Sequence, residues 1–270
     1  MPAPDTITVS QLSRLIGTPD APVLIDISID ADFDDDPFLI PGAFRHPFTD
    51  IEGLVPRLTG RRVVVICQKG IKLSQGGAAL LRTHGVRAEV LEGGNFGWRD
   101  AGGPRLPAAK LPAGPRGGSL WVTRHRPKID RIACPWLIRR FIDPAARFLF
   151  VSPAEVQGVA DRYNATPFDM EGVYWSHRED LCTFDVMVGE FGLTLPALSR
   201  LAMIVRAADT NRHDLAPEAA GLMAASLGLS RMYRDDLQQL EAGMTLYDAF
   251  YRWARDATDE THDWPATRGA

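Results

Sequence analysis

The chain has 270 residues, 45% of them hydrophobic, a length that fits two domains of ordinary size better than a single core. Its formal net charge of -4 at pH 7 is too small to make a nucleic acid or a membrane surface an obligatory partner. No window approaches about 18 consecutive apolar residues, and the N-terminus has neither a basic nor an apolar region, so neither a membrane helix nor a secretory signal is expected.

In chain order, Val23-Leu24-Ile25-Asp26-Ile27 reads as a strand and the acidic run 30–36 as a solvated loop. Arg62-Val63-Val64-Val65-Ile66-Cys67 and Ala88-Glu89-Val90-Leu91 read as two more strands. Residues 74–84 lie between them with apolar side chains at helical spacing, and Gly85 serves as the stop. Strand, helix and strand in about 30 residues form a βαβ unit, which predicts a parallel sheet with its chemistry at the carboxyl ends of the strands. Residues 101–118, AGGPRLPAAKLPAGPRGG, have no apolar period and read as a linker. The expected boundaries are a first domain over 1–103, a linker over 104–118, a second domain over 119–258 and a polar tail over 259–270, where Trp264 could dock.

The second half opens with a predicted strand, Ser119-Leu120-Trp121-Val122-Thr123. A helix from 128 or 129 to 141 follows, with Pro135 as a kink or an early helical position. After the strand Arg147-Phe148-Leu149-Phe150-Val151 come helical patterns over 196–209, 217–227, 230–241 and 245–257. This half is therefore expected to be α+β and helix-rich. There is no internal repeat, and neither Gly76-Gly77 nor Gly117-Gly118 has the spacing of a nucleotide-binding glycine motif.

The three cysteines, Cys67, Cys134 and Cys182, are odd in number and widely spaced, which fits reduced thiols in a cytoplasm rather than a disulfide framework. The clearest chemistry lies in VVVICQKGIKLSQGG, residues 63–77. A buried strand ends at Cys67, and the loop Gln68, Lys69, Gly70, Ile71, Lys72 and Leu73 leads into a helix. Successive loop N–H groups and a helix amino end make an anion-binding nest that favours a thiolate. A thiolate there can attack sulfane sulfur, hold it as a persulfide and pass it on. A buried structural cysteine is the competing reading; Gly70 and the two lysines weigh against it. A cysteine phosphatase needs an arginine six positions after the cysteine, where this chain has Leu73.

These residues resemble the single-domain rhodanese family. Leu24-Ile25-Asp26 is similar to its strand ending in Asp, Leu39-Ile40-Pro41-Gly42-Ala43 to its His-Ile-Pro-Gly-Ala stretch, and Cys67 through Lys72 to its Cys-x-x-Gly-x-Arg/Lys loop. Gly85, then Val90-Leu91-Glu92-Gly93-Gly94 and Trp98, resembles its closing signature. The resemblance covers about 95 residues in the family's order. It implies an α/β parallel sheet with flanking helices and a sulfurtransferase with Cys67 as catalytic residue. Gln68 to Leu73 would bind substrate, and the partners would be a small sulfur donor and a thiol acceptor. Leu39 replaces the family's His, Ser28 stands where many members have Arg, and Lys72 stands for the commoner Arg, without its bidentate fork.

In the second half, Arg124, Arg126, Lys128 and Arg131 cluster where the strand meets the helix, which suits an oxyanion, a phosphate or simply a solvated face. Metal-ligand candidates are Asp130, Cys134, His177, Cys182, Asp185, Asp209, His213, Asp214 and Glu218, with no CxxC pair and no HExxH. Asp209 and His213 are four apart on a predicted helix or its end. The preferred set is His177, Asp185 and Asp209, then Asp130, a His/carboxylate mixture suited to Zn, Fe or Mn. Cys134 and Cys182 read as buried apolar residues, and His46, His84 and His262 as ordinary histidines.

The stretch from Trp121 to Pro144 resembles the C-terminal domain of the chromate-resistance family ChrB. So do Pro167-Phe168-Asp169-Met170, Trp175-Ser176-His177, Cys182-Thr183-Phe184-Asp185, Ala208-Asp209-Thr210 and Asp214 through Ala219. The resemblance implies a link to chromate response but no settled chemistry. Regulatory members carry a DNA-binding domain ahead of this one, and the rhodanese-like half stands there instead. Two functions are therefore expected: a sulfurtransferase linked to oxyanion resistance, or a non-catalytic oxyanion- or metal-responsive protein. The oligomeric state stays open.

Overall fold

The computed structural model describes residues 5–112 and 118–260. Part of the expected linker (113–117) and most of the expected tail, with His262 and Trp264, lie outside the described residues.

The first half runs β1 (Thr6–Ile7), α1 (Val9–Ser13), β2 (Val23–Asp26), α2 (Asp30–Asp34), β3 (Phe38–Leu39) and β4 (Ala43–Arg45). It continues with α3 (Val55–Leu58), β5 (Arg62–Ile66), α4 (Lys72–Thr83), β6 (Arg87–Leu91), α5 (Gly94–Asp100) and β7 (Leu106–Pro107). Five strands form a parallel sheet in the order β1-β6-β5-β2-β4. The valine run of β5 is buried on both faces, as a central parallel strand requires. Val63 and Val65 face the cluster that contains Ala78 and Leu81 of α4, while Val64 and Ile66 face the opposite cluster.

The second half runs β8 (Leu120–Arg124), α6 (Asp130–Leu137), β9 (Arg147–Val151), α7 (Val156–Tyr163) and β10 (Thr166–Pro167). Then come α8 (Thr183–Glu190), α9 (Pro196–Asp209), α10 (Ala219–Met232) and α11 (Asp236–Asp256). The strands form a small parallel sheet, β10-β8-β9. One face carries α7, and α6, α8, α9 and α11 pack together on the cluster that holds Trp121 and Phe148. Pro135 lies inside α6, which then widens into a π-helical turn over Ile138–Ile142.

Several expectations are corrected. The acidic run has no buried residue, as a solvated segment should, but Asp30–Asp34 form a short helix, α2, rather than a loop; Asp30 pairs with Arg45, and Asp36 just beyond the helix with Arg105. The expected linker is structured up to residue 112: β7 pairs antiparallel with β3, Leu106 is fully buried, and Trp98 donates to the Pro104 carbonyl. A two-residue strand needs no visible period. The helices expected over 230–241 and 245–257 are the end of α10 and the single 21-residue α11. Gly243 interrupts the sequence pattern but not the helix, because it lets Ile132 pack against the α11 backbone. His213 lies beyond the end of α9, so it does not share a helical face with Asp209.

The two halves share one apolar cluster, in which Leu12, Leu24, Leu91 and Trp98 lie with Trp136, Phe141, Phe184 and Tyr251. The Gly42 amide donates to the Phe141 carbonyl at 2.6 Å. Gly17, at φ +77°, lies under the Phe141 ring so closely that a Cβ would stand 2.2 Å from the ring's Cζ.

Candidate functional site

Cys67 follows β5 at the carboxyl edge of the parallel sheet, 5% exposed. Its thiol donates to Ser74 Oγ at 3.2 Å, and Ser74 in turn donates to the Ile71 carbonyl. Helix α4 begins at Lys72, so Lys72 and Leu73 form its first turn. Lys69, Ile71 and Lys72 are exposed around the loop. Among the described residues, the amides of Lys69, Gly70 and Ile71 have no backbone acceptor. The loop is clamped backbone to backbone on Gly93 and Gly94. The Asn95 and Phe96 amides donate to the Cys67 and Gln68 carbonyls, and a Cβ on Gly70 would stand 2.6 Å from Gly94 N. Asn95 also donates to Asp26, the buried last residue of β2, whose other oxygen accepts from the Ser28 amide.

A second cluster lies in the other half. Asp130 opens α6, Asp209 closes α9, and Asp169 and His177 lie on the loop between β10 and α8. His177 Nε2 is 3.4 Å from Asp130 Oδ2, 3.4 Å from Asp169 Oδ1 and 3.3 Å from Asp209 Oδ2. Asp130, His177 and Asp209 each place a ligand atom within 4.8 Å of the others. Asp130 is 1% exposed and accepts the free Thr183 and Phe184 amides at the start of α8. Asp169 accepts the Thr183 hydroxyl on one oxygen and faces the Arg124 and Arg131 guanidinium groups with the other. Backbone strain sits at the residues that aim these acids: Ile129, just before Asp130, has φ +34° despite its branched Cβ, and Asp169 itself has φ +53°.

Charge follows from this packing. Burial pushes the Asp130 carboxyl up to about 7, with Asp209 and Asp169 adding to the rise and His177 opposing it. Burial also pushes on Asp169, but the His177 ring and the Thr183 hydroxyl beside it and the charges of Arg131 and Arg124 hold it below the usual range. Asp130, then Asp169 and Asp209, push the His177 imidazole up to about 12. Burial drives the Cys134 and Cys182 thiols well above the ordinary range, as for inert packed cysteines.

Residues 8–101 match the family model described as Rhodanese-like domain, and residues 121–254 match the one described as ChrB, C-terminal domain. The chain carries a rhodanese-like domain and a ChrB C-terminal domain. It is similar to Protein ChrB of Cupriavidus metallidurans, 38% identical over 136 residues, an alignment spanning 50% of this chain and 40% of that protein. Among solved structures, a thiosulfate sulfurtransferase from Pseudomonas aeruginosa is 25% identical with a TM-score of 0.34, covering 41% of this chain and 21% of that one. A Rhodopseudomonas palustris protein of unknown function, titled a possible tyrosine phosphatase, is 27% identical with a TM-score of 0.33, covering 37% of this chain and 83% of that one. No helix of the described residues is long and apolar enough to cross a membrane.

In the rhodanese-like domain, the predicted residues Gln68 to Leu73 form the loop after Cys67 and the first turn of α4. Ser74, the partner of the thiol, was not among the predicted site residues; its place seven residues after Cys67 is the only sign of it in the sequence. In the ChrB C-terminal domain, His177, Asp209 and Asp130 converge. Asp185, expected among the preferred ligands, instead accepts from the Cys182 amide at its own helix start and lies 3.8 Å from Arg206. Asp169, not predicted as a site residue, takes a place beside His177; it stands in a short stretch flanked by Phe168 and Met170 that carries no ligand spacing. The expected basic cluster is divided. Arg124 and Arg131 meet Asp169, Arg126 binds the Ser230 and Tyr233 carbonyls at the end of α10, and Lys128 is exposed. His213 is exposed and Asp214 pairs with Arg212.

Proposed function

We propose that this protein is a sulfurtransferase that carries sulfane sulfur on Cys67 as a persulfide and serves chromate or oxyanion resistance. The observation that carries the reading is Cys67 at the head of a loop whose Lys69, Gly70 and Ile71 amides lack backbone acceptors among the described residues, with Lys69 and Lys72 exposed in the same segment. With thiosulfate as donor, the Cys67 thiolate attacks the outer sulfur. The bond between the two sulfurs of the donor breaks, and sulfite leaves with the electron pair. An acceptor thiolate or cyanide then attacks the outer sulfur of the Cys67 persulfide, takes it as a persulfide or thiocyanate, and returns the Cys67 thiolate. The link to chromate rests on the likeness to the ChrB C-terminal domain. A non-catalytic oxyanion sensor is the weaker reading, since Arg126 and Arg131 already hold protein partners.

The test is transfer from thiosulfate or a persulfide to cyanide or a thiol by the full chain. Wild type is expected to turn over and to gain the mass of one sulfur atom, and Cys67→Ser to do neither. A wild-type protein that transfers to no acceptor and forms no adduct would refute the reading.

A further inference from the structure

We propose that Asp130, His177 and Asp209 form a binding site for one first-row divalent cation of the Mn, Fe or Zn class, with an open coordination position toward solvent. The geometry around His177 Nε2 is the main argument. A ring N–H carries one proton and serves one acceptor, at a usual N···O distance of about 2.9–3.0 Å. Here three carboxylate oxygens stand at 3.4, 3.4 and 3.3 Å from the same nitrogen, a near-equal spread that one hydrogen bond does not produce. Ligand atoms on a tetrahedral ion with bonds of about 2.0–2.1 Å lie about 3.3–3.4 Å apart. The oxygens of Asp130 and Asp209 meet that spacing from the nitrogen and lie within 4.8 Å of each other.

The surroundings support an ion at this point. Asp130 is held by two α8 amides, so this carboxylate is oriented from behind, as outer partners orient metal ligands.

The donor set decides the class. One imidazole nitrogen and carboxylate oxygens, with no thiol in the group, suit Mn, Fe or Zn rather than a soft monovalent ion. Asp130 closes the inner side, while the side chains of His177 and Asp209 are 40% and 20% exposed, which leaves the outer side for water or an exchangeable ligand.

The experiment uses the full chain, stripped with a chelator and titrated with Mn²⁺ and then Zn²⁺ by calorimetry, with Mn²⁺ also followed by electron paramagnetic resonance. One ion per chain is expected. His177→Gln and Asp209→Asn, chosen for their partial exposure, are each expected to weaken binding at least about tenfold while staying folded by circular dichroism. Cys67→Ser is expected to bind the ion normally, which separates this site from the sulfur chemistry. Absence of saturable binding to the wild type, or equal binding by both variants, would overturn the proposal.

Discussion

A Cβ placed on Gly94 would stand 2.1 Å from the Cys67 carbonyl oxygen and 2.4 Å from Gly70 N, and Gly94 has φ +58° besides. Both contacts are to backbone, which cannot swing aside as a side chain can. Gly94→Ala is therefore expected to destabilise the protein by about 1–3 kcal/mol and to lower Cys67-dependent sulfur transfer more than it lowers the melting temperature. Paired melting and transfer assays check this, and full transfer by a folded Gly94→Ala protein would show that the clamp does not set the loop. On the other side, the buried Asp130 side chain accepts two α8 amides. Asp130→Ala would leave those amides buried without acceptors, at a cost of about 1–3 kcal/mol, read as a lower midpoint of urea unfolding.

At the scale of elements, helix starts position both sites. The first turn of α4 carries Lys72 beside the cysteine loop, and the first turn of α8 holds Asp130. The segment after α5 is fastened in a different way. Lys110, near its end, pairs with Glu190 at the end of α8, and Arg178 and Tyr174 bind the same carboxylate. Arg178, then Lys110 and Tyr174, hold the Glu190 carboxyl down at about 2, below its ordinary value of 4.5. A carboxyl whose folded value is depressed contributes stability above its unfolded value and loses it as pH falls through its folded value. The contribution is thus complete above 4.5 and fades toward 2. Limited proteolysis of the full chain is expected to cut near residue 110 increasingly over that window. Glu190→Gln is expected to be cut as readily at neutral pH, and equal resistance of the two proteins at neutral pH would contradict the assignment.

For the whole molecule, the contact of the halves is built on Phe141, which receives the Gly42 amide on its carbonyl and lies over Gly17 with its ring. The shared apolar cluster predicts that the halves unfold together. Phe141→Ala is expected to cost about 3–5 kcal/mol and to lower the melting of both halves, observable as one calorimetric transition that shifts as a unit. Two transitions, with only the later-chain half affected, would show that the cluster does not couple them. Such coupling would let an ion at His177 influence the stability of the half that carries Cys67.

What the residues alone determined was local. The valine run, the helix after Cys67 and the glycines around it are legible because strand burial, helical period and tight turns are properties of neighbours in the chain. Cys67 at a strand end follows from that pattern, and so does the α+β character of the second half. Tertiary structure decided what depends on distant partners. Asp130, Asp169, His177 and Asp209 span 80 positions and have no ligand spacing, so only the packing of α6, α8 and α9 brings three of the four expected acids and imidazole together and turns Asp185 away. The same reason hid the pairing of β7 with β3 and the common core. Burial against a remote segment leaves no period in the sequence of either partner.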